Sequence, residues 1–76
     1  MFLAIKKLTG IKRLDNSING NPNYVLVFDD EEIRTEKDSM LAYKISDTYL
    51  NKDCQITFYY DDQEQAFLKE IDKLEE

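Results

Sequence analysis

The stretch that most constrains this chain is Asn19-Gly20-Asn21-Pro22-Asn23-Tyr24-Val25-Leu26-Val27-Phe28, where a run of turn formers passes directly into the most β-favouring segment. Asn-Gly tolerates the positive φ that a type I′ hairpin turn needs at both central residues. Pro22 fixes φ and lacks an N–H, which suits the first position of a strand and no later one. A strand is therefore expected from about residue 22. Tyr24, Leu26 and Phe28 share one of its faces, and Val25 and Val27 the other. Apolar residues on both faces mark a central strand, or the wall of a closed barrel with something packed outside.

Asp29-Asp30-Glu31-Glu32 demands a solvated turn, and Ile33-Arg34-Thr35 predicts a short returning strand. Thr35-Glu36-Lys37-Asp38 has the outline of a capping box with Asp in place of Glu or Gln. Met40, Leu41, Tyr43 and Ile45 then predict a helix of about two turns near 36–45. Such a helix is too short to be stable alone and is expected to plug one end of a barrel. Tyr49 to Asp53 reads as a loop. Cys54-Gln55-Ile56-Thr57-Phe58-Tyr59-Tyr60 alternates cleanly, with Cys54, Ile56, Phe58 and Tyr60 inward, before Asp61-Asp62-Gln63-Glu64 turns the chain again.

Two segments admit two readings. Phe2, Ile5, Leu8, Ile11 and Leu14 recur every third position, which fits either a helix over 2–8 ending at Gly10 or a long strand that changes face at a bulge near Thr9-Gly10, where a glycine can take positive φ. At the other end, Phe67, Ile71 and Leu74 sit at helical spacing, whereas a strand over 65–75 would cover an open sheet edge. Together these elements predict one mainly antiparallel β (α+β) domain over residues 1–76, a small SH3-like or OB-like partly closed barrel with one short helix near 36–45.

Asn16-Ser17-Ile18-Asn19-Gly20-Asn21-Pro22-Asn23-Tyr24, the alternation to Phe28, the acidic turn, Arg34-Thr35, Asp38, Ala42-Tyr43 and Ile45 resemble a group of short uncharacterised proteins of phages and mobile elements. The likeness covers about residues 14–60, and its most specific piece is Asn-Gly-Asn-Pro followed by an aromatic. The resemblance implies a phage or mobile-element origin and a chain that ends in a strand. The acidic turn departs from the group's pattern, which usually carries a glycine there.

Composition narrows function by exclusion. The chain has no histidine, so catalytic zinc sites, Ser-His-Asp and Cys-His arrangements are excluded. Gly10 and Gly20 are its only glycines, too few for a phosphate-cradling or dinucleotide loop. The single Cys54 cannot form an internal disulfide and reads as core. It suggests a reducing compartment, the cytoplasm of a host cell. No signal segment or apolar span is legible. The expectation is a non-enzymatic protein with no cofactor, no metal and no membrane.

Charge is unevenly spread. Residues 1–14 carry net +4, residues 15–53 net −5 and residues 61–76 net −5, within an overall −6. That sign opposes direct nucleic-acid binding and favours a basic protein partner. Asp29, Asp30, Glu31, Glu32, Asp61, Asp62 and Glu64 are the candidate partner-binding residues, provided that the strands ending at Phe28 and Tyr60 run the same way and bring both turns to one rim. Carboxylates two apart on a strand stand about 6.6 Å from one another, so a β surface can imitate phosphates and inhibit a host defence or DNA-processing protein, as an anti-CRISPR protein would. A second reading places single-stranded nucleic acid on Lys6, Lys7, Lys12 and Arg13 with Tyr24 or Tyr59 as stacking partners. A third is a self-associating module, a homodimer, because five tyrosines and four phenylalanines exceed what a thin core conceals.

Overall fold

The fold was analysed in a computed structural model that describes residues 1–74. Its longest element, β1 (Phe2–Leu14), is one unbroken strand, which decides the first ambiguity in favour of the bulged strand. The register slips between Leu8 and Gly10, and this slip lets one strand serve two ladders. Its first half pairs antiparallel with β4 (Asp53–Tyr60), from Phe2↔Phe58 to Lys7↔Asp53. Its second half pairs antiparallel with β2 (Asn23–Phe28), from Leu8↔Phe28 to Leu14↔Asn23. Gly10 does not take the positive φ expected of it; among the glycines only Gly20 does.

β2 continues into β3 (Glu32–Thr35), and the final segment is a strand, β5 (Ala66–Lys73), rather than a helix. Glu75, the last residue of that expected segment, lies outside the described residues. β5 pairs antiparallel with β4 and parallel with β3, so the order β1-β2-β3-β5-β4 returns to β1. The result is a mixed five-stranded sheet that closes into a ring, where a partly closed one was expected. The helical spacing of Phe67, Ile71 and Leu74 is overridden by a register shift opposite Thr57 and Phe58. This shift lets both Leu68 and Ile71 point inward, fully buried.

Leu8, Leu26, Ile33, Cys54, Ile56, Leu68 and Ile71 fill the ring and are completely buried. Burying a side chain of the Leu or Ile kind is worth about 1.5–3 kcal/mol. Val25, on the outer face, is also buried. It lies between its cross-strand neighbours Lys12 and Arg34, whose aliphatic stems can cover it.

The expected two-turn helix near 36–45 is not formed. In its place stand two 3₁₀ turns, Met40–Tyr43 and Asp47–Tyr49. Asp38 takes φ 58°, which interrupts any helix begun at Thr35, and extended Ser46 separates the two turns. Thr35 is no cap. It is buried in β3, and its Oγ1 accepts a hydrogen bond from Tyr24 N at 3.1 Å. Ser39 caps instead, accepting from Leu41 N. The connector still closes one end of the ring, because Ile45 and Tyr49 enter the core and Leu41 packs on it. Tyr49, expected in an open loop, is buried.

The Asn-Gly hairpin also differs from expectation. Ser17 N donates to Asn21 O and Gly20 N to Ser17 O, both at 2.9 Å, so the loop is Ile18-Asn19-Gly20. Only Gly20, at φ 82°, is left-handed. This is a type I turn closed by a left-handed residue rather than type I′.

Candidate functional site: an acidic rim

Both β2 and β4 run antiparallel to β1 and therefore parallel in direction to each other. Their following turns, Asp29-Asp30 and Asp61-Asp62-Gln63-Glu64, thus emerge at the same end of the ring, opposite the 3₁₀ connector. Tyr60 Oη links the two turns by donating to Glu31 Oε2 at 2.8 Å. The carboxylate in turn pushes the Tyr60 hydroxyl above its ordinary pKa.

Beneath the turns, the mouth of the ring is stoppered by three aromatics. Phe2 stacks on Phe58 with centroids 5.6 Å apart, and Tyr60 meets both rings edge-on at 5.5 and 5.7 Å. Phe58 is buried, while Phe2 and Tyr60 stay substantially exposed. The rim is therefore an exposed aromatic floor bordered by carboxylates.

Among the described residues, Lys6 is the one base that pairs with this border. Its Nζ donates to Asp30 Oδ2 at 2.6 Å and lies 3.6 Å from Glu31 Oε1. The hydrogen bond to Asp30 raises the Lys6 pKa, and the same bond holds the Asp30 carboxyl below its ordinary value. Asp61 is committed internally, its Oδ1 accepting from Gln63 N and Gln65 N at 2.9 Å each. Asp29, Asp61, Asp62 and Glu64 make no ion pair among the described residues. Six carboxylates and one ammonium leave these seven side chains at net −5. Glu32 departs from the group: it sits on the outer sheet face with Lys12 Nζ at 3.1 Å.

Among the described residues, no three acidic or cysteine side chains converge closely enough to hold a metal ion. Cys54 is buried, and desolvation raises its pKa above the ordinary thiol value, the opposite of what a nucleophile needs.

The four bases of β1 are dispersed rather than gathered. Lys6 serves the rim, Lys12 pairs with Glu32, and Arg13 donates to Asn16 Oδ1 and lies over the Tyr24 ring. Lys7 faces outward beside its cross-strand neighbour Asp53. Of the suggested stacking aromatics, Tyr59 lies on another part of the surface, packed against Phe67 at 5.8 Å and donating to Glu36.

Sequence reasoning missed two groups. Alternation places Tyr60 in the core, but as the last residue of β4 it reaches over the rim. Asp38 fits a capping box in the sequence, yet its carboxylate accepts from Ser17 Oγ and, at 3.0 Å each, from Asn19 Nδ2 and Asn21 Nδ2. Tyr43 Oη completes this latch by donating to Asn21 Oδ1 at 2.6 Å. The available signal was the joint presence of Asn19, Asn21 and an acid beyond β3, three polar residues in search of partners. No protein-family model matches this chain, and neither a curated protein nor a solved structure is significantly similar to it.

Proposed function

We propose that this is a non-enzymatic binding protein that engages a basic surface of a partner protein through the rim formed by Asp29, Asp30, Glu31, Asp61, Asp62 and Glu64. The observation that carries the reading is the convergence of both acidic turns on one end of the ring, joined through Tyr60 and Glu31. Carboxylates around an exposed aromatic floor suit a partner whose Lys or Arg side chains flank an apolar contact. In its sharpest form the reading is a DNA mimic of phage or mobile-element origin, acting in the host cytoplasm on a defence or DNA-processing protein that normally grips phosphates.

The strand order, with β3 and β5 parallel and the connector lying between β3 and β4, supports an OB-like rather than an SH3-like barrel. OB folds bind single strands across β2 and β3 and the adjoining loops, which keeps nucleic acid as the second reading. Against it stand the dispersed bases and the Lys12–Glu32 pair on that outer face.

Affinity capture from host lysate at low and high salt tests the choice. A specific basic partner should be retained at low salt, released at high salt and lost with Asp29→Asn/Asp30→Asn/Glu31→Gln/Glu32→Gln. Retention that is indifferent to salt and to these substitutions overturns the rim reading. Gel retardation of single-stranded DNA at low salt, abolished by Lys12→Ala/Arg13→Ala, would establish the second.

A further inference from the structure

The Asn19-Gly20-Asn21-Pro22 motif carries a chemistry that neither the fold nor the rim uses. A side-chain amide can be attacked by the backbone nitrogen of the residue that follows it, closing a five-membered ring, and glycine, with no side chain, hinders that attack least. Asn19 is the only asparagine in the chain followed by glycine. Asn21 precedes Pro22, whose nitrogen has no proton to lose. Asn16, Asn23 and Asn51 precede Ser17, Tyr24 and Lys52, each of which bears a side chain. The loop is open to water, with Ile18 94% exposed and Asn19 and Gly20 exposed beside it. It lies at the connector's end of the ring, away from the acidic rim. Both reacting groups are nevertheless held. Gly20 N donates to Ser17 O at 2.9 Å, and Asn19 Nδ2 donates to Asp38 Oδ2 at 3.0 Å.

We propose that Asn19 is a site of spontaneous deamidation, governed by the Asp38 latch that its product then breaks. When the loop opens, Gly20 N loses its proton to hydroxide and bonds to Asn19 Cγ. The Cγ–Nδ2 bond breaks, and the nitrogen leaves as ammonia with a proton taken from water. Water then opens the ring at either carbonyl, giving aspartate or isoaspartate. The sum is one water consumed and one ammonia released, with nothing oxidised or reduced. Aspartate replaces a donor to Asp38 by a second carboxylate, and like charges so close repel. Isoaspartate also loses the donor and adds a methylene to the backbone of the Ile18-Asn19-Gly20 loop, upsetting the spacing of the bonds from Ser17 N to Asn21 O and from Gly20 N to Ser17 O. The folded latch therefore slows the reaction, and the finished reaction keeps the latch from closing as before.

Peptide mapping by mass spectrometry during incubation at mildly alkaline pH tests this proposal. The wild type should gain the mass of amide-to-acid exchange at Asn19 ahead of Asn16, Asn23 and Asn51, and several-fold more slowly than the same chain held unfolded in urea. Asp38→Ala should react several-fold faster than the wild type with unchanged near-ultraviolet circular dichroism. Tyr43→Phe, which removes only the outer bond of the latch, should fall between the two. Ile56→Val, which loosens the core and leaves the latch intact, should react at the wild-type rate. Asn19→Asp should unfold at lower urea than the wild type at pH 7, a gap that narrows below about pH 4 as the facing carboxyls protonate. A native chain that reacts as fast as the unfolded one overturns the proposal, as does an Asp38→Ala rate no higher than the wild type's or matched by that of Ile56→Val. Earlier modification of another asparagine, or an Asn19→Asp variant as stable as the wild type, overturns it equally.

Discussion

Glu64 and Gly20 occupy the same place in two copies of one turn. In the β4–β5 loop, Asp61 N donates to Gln65 O and Glu64 N to Asp61 O, repeating the bonds made by Ser17, Gly20 and Asn21. Ser17 Oγ and Asp61 Oδ1 even accept from equivalent amides, Asn21 N and Gln65 N. Glu64 nevertheless sits at φ 61°, where an L-residue is disfavoured by roughly 1–2 kcal/mol and glycine is not. Glu64→Gly should therefore stabilise the fold by about 1 kcal/mol, and Gly20→Ala should destabilise it by a similar amount, both read from urea unfolding midpoints. A Cβ at Gly20 meets nothing within 4 Å, so its cost is conformational alone. Leu68, wholly buried between β3 and β4 neighbours, is a different case. Leu68→Ala removes packing that the ring cannot refill and should cost about 2–5 kcal/mol.

The β1–β2 loop and the connector after β3 are held together by the Asp38 latch. Its hydrogen bonds from Ser17, Asn21 and Asn19, in that order of effect, lower the Asp38 pKa. A carboxyl with a depressed folded value contributes stability that is fully present above its unfolded pKa of about 3.9 and is lost as pH falls through the folded one. Asp30, held down by Lys6, adds to the same trend. Thermal midpoints measured from pH 7 to pH 2 should fall below about pH 4, and Asp38→Ala should start lower and show a shallower fall. The strands themselves were legible where alternation was clean: Cys54–Tyr60 and Tyr24–Phe28 needed no tertiary information. The connector was not, because Met40, Leu41, Tyr43 and Ile45 satisfy helical spacing while the decisive events are the left-handed Asp38 and the burial of Tyr49. Both depend on residues distant in sequence, the 17–21 loop for Asp38 and the core with Lys73 of β5 for Tyr49. The acidic turns were legible as turns, but their shared rim depended on strand direction, and the roles of Lys6 and Tyr60 within it required register.

The ring is uneven around its circumference. β4 and β5 share seven residue pairs, whereas β3 and β5 share only Arg34↔Phe67 and Thr35↔Leu68. Local opening follows the weakest cooperative unit, so amide exchange should be fastest at this parallel seam and slowest along β4–β5, a pattern that hydrogen-exchange mass spectrometry with fragment resolution can read. The double service of β1 has a further consequence, in time rather than in space. Its second half can pair with β2 as soon as the first hairpin exists, but its first half must wait for β4, some fifty residues later in the chain. Until then Phe2 to Lys7 has nowhere to go. Contacts so distant in sequence slow the search, so refolding from denaturant should proceed in milliseconds to seconds rather than microseconds. A nascent chain would carry the sticky leading strand unpaired until most of the protein has been made.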